Sequence, residues 1–357
     1  MTPVPVTILT GFLGAGKTTL LNRLLADPAL ERTAVIVNEF GEIGLDHDLI
    51  ERSDDGVIEL SGGCLCCSVR GDLVDTIDAL LDGSRPIDRL VVETTGLADP
   101  MPLLRAVMAH PTRAEAMRLD GVVAVVDAVS GPASLARHEE ARRQVAVADR
   151  VVLTKVDMAE AGPARVAVAA SNSRAPVLDA AAVDPADALL GCALHDPATG
   201  RPDVARWLAD QGPHNAHGSP GGFGGHGQGG PNGHAHGAIR SFALRHDPPV
   251  PLGAVEDFLN LLAVHAGERL LRMKAIVHAA EHPDEPLVLH AVQTTLHPPA
   301  RLSAWPDGPR ATRMVLIVDG IAERYVRDLF ATFTGAPRLD APDRAALVDN
   351  PLAPAGL

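Results

Sequence analysis

The chain has 357 residues, a formal net charge of −14 and 3% aromatic residues, which is length enough for two domains with real cores but gives no basic face for nucleic acid. No apolar run approaches the roughly 20 residues of a membrane-spanning helix. Of the four cysteines, three crowd into residues 64–67, a pattern that excludes a disulfide framework and points to metal or redox chemistry in a reducing compartment. With no basic leader ahead of the first apolar run, the expectation is a cytoplasmic protein.

Residues Val4–Thr10 read as a short apolar strand, and Thr18–Leu25 (TTLLNRLL) as a helix. Between them lies GFLGAGKT, Gly11–Thr18, a full match to GxxxxGK[ST]. A strand, a glycine turn and a helix N-terminus form an anion cradle, because backbone N–H groups and the helix dipole point at one spot. The expected phosphate-binding set is Gly11, Gly14, Ala15, Gly16, Lys17, Thr18 and Thr19. Lys17 would bring positive charge to the terminal phosphates and Thr18 would reach Mg(II). The plainer alternative is a glycine turn between a strand and a helix.

The first half then alternates apolar runs with helical segments, as a parallel sheet requires. Candidate strands are 6–10, 33–40, 57–60, 89–96, 121–128, 150–157 and 175–180; their unalternating, β-branched character suits strands covered on both faces. Helices are expected over 72–81 and 135–148. Asn38-Glu39-Phe40-Gly41-Glu42 ends the second strand and opens a loop with two carboxylates and two glycines, a candidate nucleotide-sensing switch.

After the third strand comes SGGCLCC, residues 61–67. Three thiols here could be buried core residues or, through Cys64 and Cys67, a redox pair. The two glycines argue for an exposed turn, and thiolates are soft ligands suited to Zn(II), Cu(I) and, more weakly, Co(II). Cys64, Cys66 and Cys67 supply at most three ligands, so a site here must borrow from Glu39, Glu42, a histidine or water. Such a borrowed position is where an incoming ligand could attack. Cys192 stands apart and is read as incidental.

Glu93-Thr94-Thr95-Gly96 follows the next apolar run. Glu93 is placed to hold Mg(II) directly or through water, and Gly96 to lend an N–H to a γ-phosphate; a solvent-facing strand end is the alternative. Asp127 closes the 121–128 strand and could be structural. Thr154-Lys155-Val156-Asp157 resembles the [N/T]KxD guanine motif. The Asp157 carboxylate would accept two hydrogen bonds from guanine that adenine cannot offer, and the Lys155 stem would pack over the base.

Residues 212–237 are glycine-rich and hold His214, His217, His226, His234 and His236, the composition of a flexible linker with metal-binding potential. From residue 238 the pattern resumes: a helix over 251–265, strands over 270–280, 286–296 and 312–320, and a closing helix over 321–333, which suggests a small α+β domain. The expected fold is α/β, a P-loop NTPase domain with a mainly parallel sheet (1–190), then a linker (191–237), the α+β domain (238–335) and a loose tail (336–357).

Taken together, TILTGFLGAGKTTLLN (7–22), NEFGEIGLD (38–46), GGCLCC (62–67), ETTGLADP (93–100), TKVD (154–157), the histidine-rich linker and WPDG (305–308) resemble the CobW-like family of P-loop GTPases, relatives of the nickel chaperones UreG and HypB. The resemblance implies Mg-dependent GTP hydrolysis coupled to delivery of zinc or cobalt to a client protein. Lys17 and Glu93 would be catalytic, Thr18 and Glu93 would hold Mg(II), and Cys64, Cys66 and Cys67 would hold Zn(II) or Co(II). The N-terminus, MTPVPV, lacks the client-docking motif of some family branches. Three rivals stand beside this reading: a zinc-buffering protein using the linker histidines, a cobalt-handling protein of cobalamin biosynthesis, and a P-loop kinase or ATPase with a structural zinc.

Overall fold

A computed structural model describes residues 3–27, 30, 32–38, 57–60, 69–83, 86–109, 116–192, 204–208, 239–297, 299–306 and 309–335. The expected switch loop, the cysteine turn, the histidine-rich stretch 212–237 and the tail 336–357 lie outside them.

The first domain runs β1 (Val4–Gly11), α1 (Lys17–Leu25), β2 (Thr33–Asn38), β3 (Val57–Leu60), α2 (Val69–Asp82), β4 (Arg89–Glu93), α3 (Met101–Met108), β5 (Met117–Asp127), α4 (Gly131–Arg137), α5 (Glu139–Ala146), β6 (Arg150–Thr154), α6 (Ala161–Ser171), β7 (Val177–Asp179) and α7 (Pro185–Leu189). Its strands form one sheet in the order β3-β2-β4-β1-β5-β6-β7, parallel throughout. The lack of hydrophobic alternation has a direct cause. Successive residues feed two different cores: Ile8, Val92, Val122, Ala124 and Leu153 face one, while Leu9, Val91, Val123, Val125 and Val152 face the other. The first is covered by side chains of α2 to α6 and the second by α1 and α7. Burial on both sheet faces is what βαβ crossovers impose.

Most expected strands end earlier than their apolar runs suggested. β4 stops at Glu93 and β6 at Thr154, so the polar tails of those two runs become loops at the carboxyl edge. The expected helix over 135–148 is two helices. His138 adopts extended backbone (φ −110°, ψ 125°) and serves both as the C-cap of α4 and the N-cap of α5.

The second domain follows α8 (Val204–Leu208), which falls inside the interval read as linker. It comprises β8 (Ile239–His246), α9 (Leu252–Ala266), β9 (Leu270–Val277), β10 (Leu287–Val292), β11 (Thr295–Leu296), β12 (Ala300–Arg301), β13 (Thr312–Asp319) and α10 (Glu323–Thr334). The strands pair antiparallel in the order β11-β10-β9-β13-β8, with β12 on β10. The run expected as one strand over 286–296 folds back on itself at Gln293, which takes a left-handed φ of 53°. Phe258 and Leu262 of α9 and Val326 and Phe330 of α10 seal one face. Trp207 and Leu208 of α8 seal part of the other, against Ile276, Val288 and Val315.

The two domains meet through a buried charge cluster. Arg272 donates to Asp149 Oδ2 at 2.8 Å and to the Val147 carbonyl at 2.7 Å. Lys274, on the same face of β9, pairs with Asp149 Oδ1 and donates to the Trp207 carbonyl at 2.7 Å. Asp149 in turn accepts from the Val122 amide at 2.8 Å. Burial alone would push the Asp149 carboxyl up; Arg272 and Lys274 outweigh it and hold the group down to about 2. Burial also lowers the Lys274 ammonium from its ordinary range, against the pull of Asp149, and Arg272 adds to the lowering.

Asp149→Ala would strand two buried cations, so it should cost about 3–5 kcal/mol of stability in denaturant unfolding. The folded-state carboxyl is depressed, so its contribution is complete above the ordinary value of 3.8 and fades as pH falls toward about 2. Acid titration of wild-type stability should show a loss of roughly 2 kcal/mol in that window that the alanine variant lacks.

Candidate nucleotide site

β1 ends at Gly11 and α1 starts at Lys17, and the turn between them is possible only with glycine at key points. Gly11 has φ 147°, and a Cβ there would lie 2.4 Å from the Val125 carbonyl oxygen; Gly14 and Gly16 take φ 70° and 93°. That backbone leaves the N-terminus of α1 facing the concave side of the turn, the arrangement that binds phosphate. Ala15 is buried within the turn and Thr19 is exposed in the first turn of α1. The Lys17 ammonium, nearly buried, donates to the Gly11 carbonyl at 3.0 Å, across the mouth of the loop.

β4 lies beside β1 with Glu93 in register with Leu9. This pairing brings Glu93 to the start of α1, where Thr18 Oγ1 donates to Glu93 Oε1 at 3.0 Å. Glu93 is only 4% exposed. A hydroxyl and a carboxylate at this distance, beside a phosphate cradle, are the hard oxygen donors Mg(II) takes when it is held jointly by protein and phosphates. The residues present therefore fit the ion.

The loop after Glu93 is pinned from both sides. Thr94 donates its amide to the Leu9 carbonyl at 2.9 Å and its hydroxyl to Thr10 Oγ1 at 2.8 Å. Gln144 of α5, fully buried, donates to the carbonyls of Gly96 and Ala98 at 3.1 and 3.0 Å. Gly96 presses so close to the phosphate loop that a Cβ would meet Leu13 N at 2.7 Å.

The guanine-motif segment also touches the phosphate loop. Thr154 Oγ1 donates to the Ala15 carbonyl at 2.6 Å, and Lys155, at φ 55°, reaches the Gly14 carbonyl at 2.7 Å. The Lys155 stem thus spans the loop, and Asp157 is exposed just beyond it. Asp127 accepts from the amides of Val129 and Ser130 at 3.0 and 2.6 Å, which gives it a turn-closing role.

Cys64, Cys66, Cys67, Glu39 and Glu42 lie outside the described residues; among the described residues no three metal-ligating side chains cluster. The strands that flank them are described. Asn38 of β2 is in register with Leu60 of β3, and Val37 with Glu93 of β4. Both segments therefore leave the sheet at the same edge as Gly11 and Glu93. Gln144 and the ring of His138, stacked on Phe12 at 4.6 Å, are site residues that sequence reasoning missed. For Gln144 the available signal was a polar residue between Ala141 and Val145 on the apolar face of a helix.

Residues 5–179 match the CobW/HypB/UreG nucleotide-binding domain and residues 239–334 match the cobalamin synthesis protein CobW C-terminal domain. Zinc chaperone YjiA of Escherichia coli (strain K12) is 33% identical over 340 residues, which cover 93% of this chain and 99% of YjiA. The chain belongs to the CobW-like family. Among solved structures, the Zn(II)-bound YjiA GTPase from E. coli superposes with a TM-score of 0.64 at 30% identity, covering 93% of this chain and 99% of that one. The zinc-regulated GTPase metalloprotein activator 1 of Schizosaccharomyces pombe shares 36% identity over 163 residues, 44% of this chain and 40% of that relative. No helix among the described residues of this CobW-like chain is long and apolar enough to cross a membrane.

Because backbone atoms of Leu13 cannot yield to a new methyl group, Gly96→Ala must push its loop off the phosphate turn. At the 1–3 kcal/mol typical of overpacking, affinity for a non-hydrolysable GTP analogue should fall about tenfold or more while GDP affinity changes little. Equilibrium titration with both nucleotides checks this.

Proposed function

We propose that this chain is a GTP-hydrolysing metallochaperone that binds Zn(II) at Cys64, Cys66 and Cys67 and releases it to a metal-requiring client as the nucleotide is consumed. The observation that carries the reading is the shared edge: the phosphate turn, Thr18–Glu93 and the roots of the two segments holding Glu39, Glu42 and the thiols all leave one parallel sheet on one side. The names of the zinc chaperone and GTPase relatives support it.

In this mechanism the turn amides and Lys17 bind the phosphates, and Lys17 stabilises the charge that grows on the leaving phosphate oxygens. Thr18 and Glu93 would hold Mg(II), which when bound neutralises phosphate oxygens. Gly96 offers its amide to the γ-phosphate, and its loop relaxes when that phosphate leaves. Asp157 selects guanine, with Lys155 over the base. The thiolates hold Zn(II) with a borrowed fourth ligand that a client can displace. Co(II) fits the same thiolates less tightly, so the supply of metal and the client would decide between the two ions. The proposed working parts are the GTPase domain over 1–190, a linker over 191–237 and the second domain over 238–335, in a cytoplasmic protein.

Lys17→Ala should lower kcat for GTP at least about a hundredfold, in line with loss of a preorganised charge-stabilising group, with the circular dichroism spectrum unchanged. Asp157→Ala should erase the preference for GTP over ATP, a change of about tenfold or more for lost hydrogen bonds to a charged group. An unaltered nucleotide preference would favour the ATPase reading. The five linker histidines favour a storage role as a second reading. Deleting 212–237 should leave one tight zinc equivalent that Cys66→Ser removes, as measured by chelator competition; a storage protein would instead lose most of its capacity with the deletion.

A further inference from the structure

Helix α5 and its flanks touch the phosphate turn, the Gly96 loop and the second domain. Its N-cap, His138, stacks on Phe12 of the phosphate turn. In its last turn, Gln144 holds the carbonyls of Gly96 and Ala98. Next to it, Arg143 donates to Asp99 Oδ2 at 3.3 Å and to Asp319 Oδ2 at 3.1 Å, and its Nε is held by Glu139 at 3.0 Å. Just past its C-terminus, the Val147 carbonyl and the Asp149 carboxylate receive Arg272 and Lys274 of the second domain.

Of the three acids that Arg143 joins, Asp99 and Asp319 belong to different units. Asp99 lies in the loop that follows Glu93 and accepts from the amide of Met101, the first residue of α3, at 3.0 Å. Asp319 is the last residue of β13 in the second domain. Side-chain exposures of 27%, 35% and 13% for Arg143, Asp99 and Asp319 remove much of the water that would weaken an ion pair on an open surface. A second strut runs in parallel: Arg105 of α3 reaches Oε1 of Gln293 in the β10–β11 turn at 3.4 Å. A loop that moves with the γ-phosphate must therefore carry Asp99 with it and disturb the arginine shared with the second domain.

We propose that Arg143 is a positioning residue for the Gly96 loop, anchored by Asp319, so that docking of the second domain and engagement of the γ-phosphate by that loop favour one another. This rests on the GTPase reading above. With Gly96 against Leu13, the contacts in this structure hold the loop closed on the phosphate turn. Asp319 joins the second domain to that loop through Arg143, so cutting this anchor should weaken triphosphate binding more than diphosphate binding. A purely structural salt bridge would lower stability and leave the ratio of the two affinities alone.

The test measures dissociation constants for GDP and a non-hydrolysable GTP analogue, with unfolding midpoints, on full-length wild type, Asp319→Asn, Arg143→Gln and the double variant. Arg143→Lys serves as a milder replacement should the glutamine variant not fold. The ratio of analogue to GDP dissociation constants should rise about fivefold or more in each single variant, the low end of usual site-to-site coupling. The double variant should add nothing beyond the larger single effect. A ratio within about twofold of wild type in Asp319→Asn, or additive effects in the double variant, overturns the proposal while leaving the GTPase reading intact. Wild type that binds neither nucleotide overturns both.

Discussion

Helices cover both faces of the first-domain sheet, so its backbone and side chains meet solvent chiefly at its edges and ends. In a parallel sheet every strand delivers its carboxyl end to the same side. Here that side receives Gly11, Asn38, Leu60, Glu93, Asp127 and Thr154. Each segment named in the proposed chemistry is an extension of one of these strands. The phosphate turn, the acidic strand end and the guanine motif come together for a topological reason, and the thiol segment springs from the same side.

Contacts made through backbone carbonyls dominate the assembly of this edge. Lys17, Gln144, Thr154 and Lys155 all donate to carbonyl oxygens of the phosphate turn or of the Gly96 loop. Such contacts fix loop positions without committing a second side chain, so the loops can be re-aimed as their partners shift. Between the domains the logic differs. Asp149 faces Arg272 and Lys274 in a buried cluster, which is costly to break from either side. The second domain is therefore held firmly near α5, while its contact through Arg143 is partly exposed and better suited to exchange partners.

Much of this was legible in the sequence, for physical reasons. Runs such as VVAVV must be strands buried on two faces, and GFLGAGKT between a strand and a helix has few other uses. What stayed hidden depends on tertiary partners. The break at His138 has no glycine or proline to announce it at that residue; its ring packs on Phe12, distant in sequence. Arg272 and Lys274 alternate along β9 as residues of a solvent-facing strand face do, yet all of β9 is buried because the first domain supplies a carboxylate. β8 went unread because IRSFALRH alternates polar and apolar residues weakly and carries arginines, as suits a strand paired on one side alone. Which side chain would complete a zinc site on Cys64, Cys66 and Cys67 was not legible either, since no local rule specifies which distant side chain completes a metal site.

The account stands or falls on communication between the phosphate turn and the sulfurs of Cys64, Cys66 and Cys67. Its most direct test is the Zn(II) dissociation constant of the full chain, measured by chelator competition in the GDP-bound form and in the form bound to a non-hydrolysable GTP analogue. The account predicts tighter binding with the triphosphate analogue by about fivefold or more, as expected for ordinary allosteric coupling. Equal constants in the two forms would contradict it.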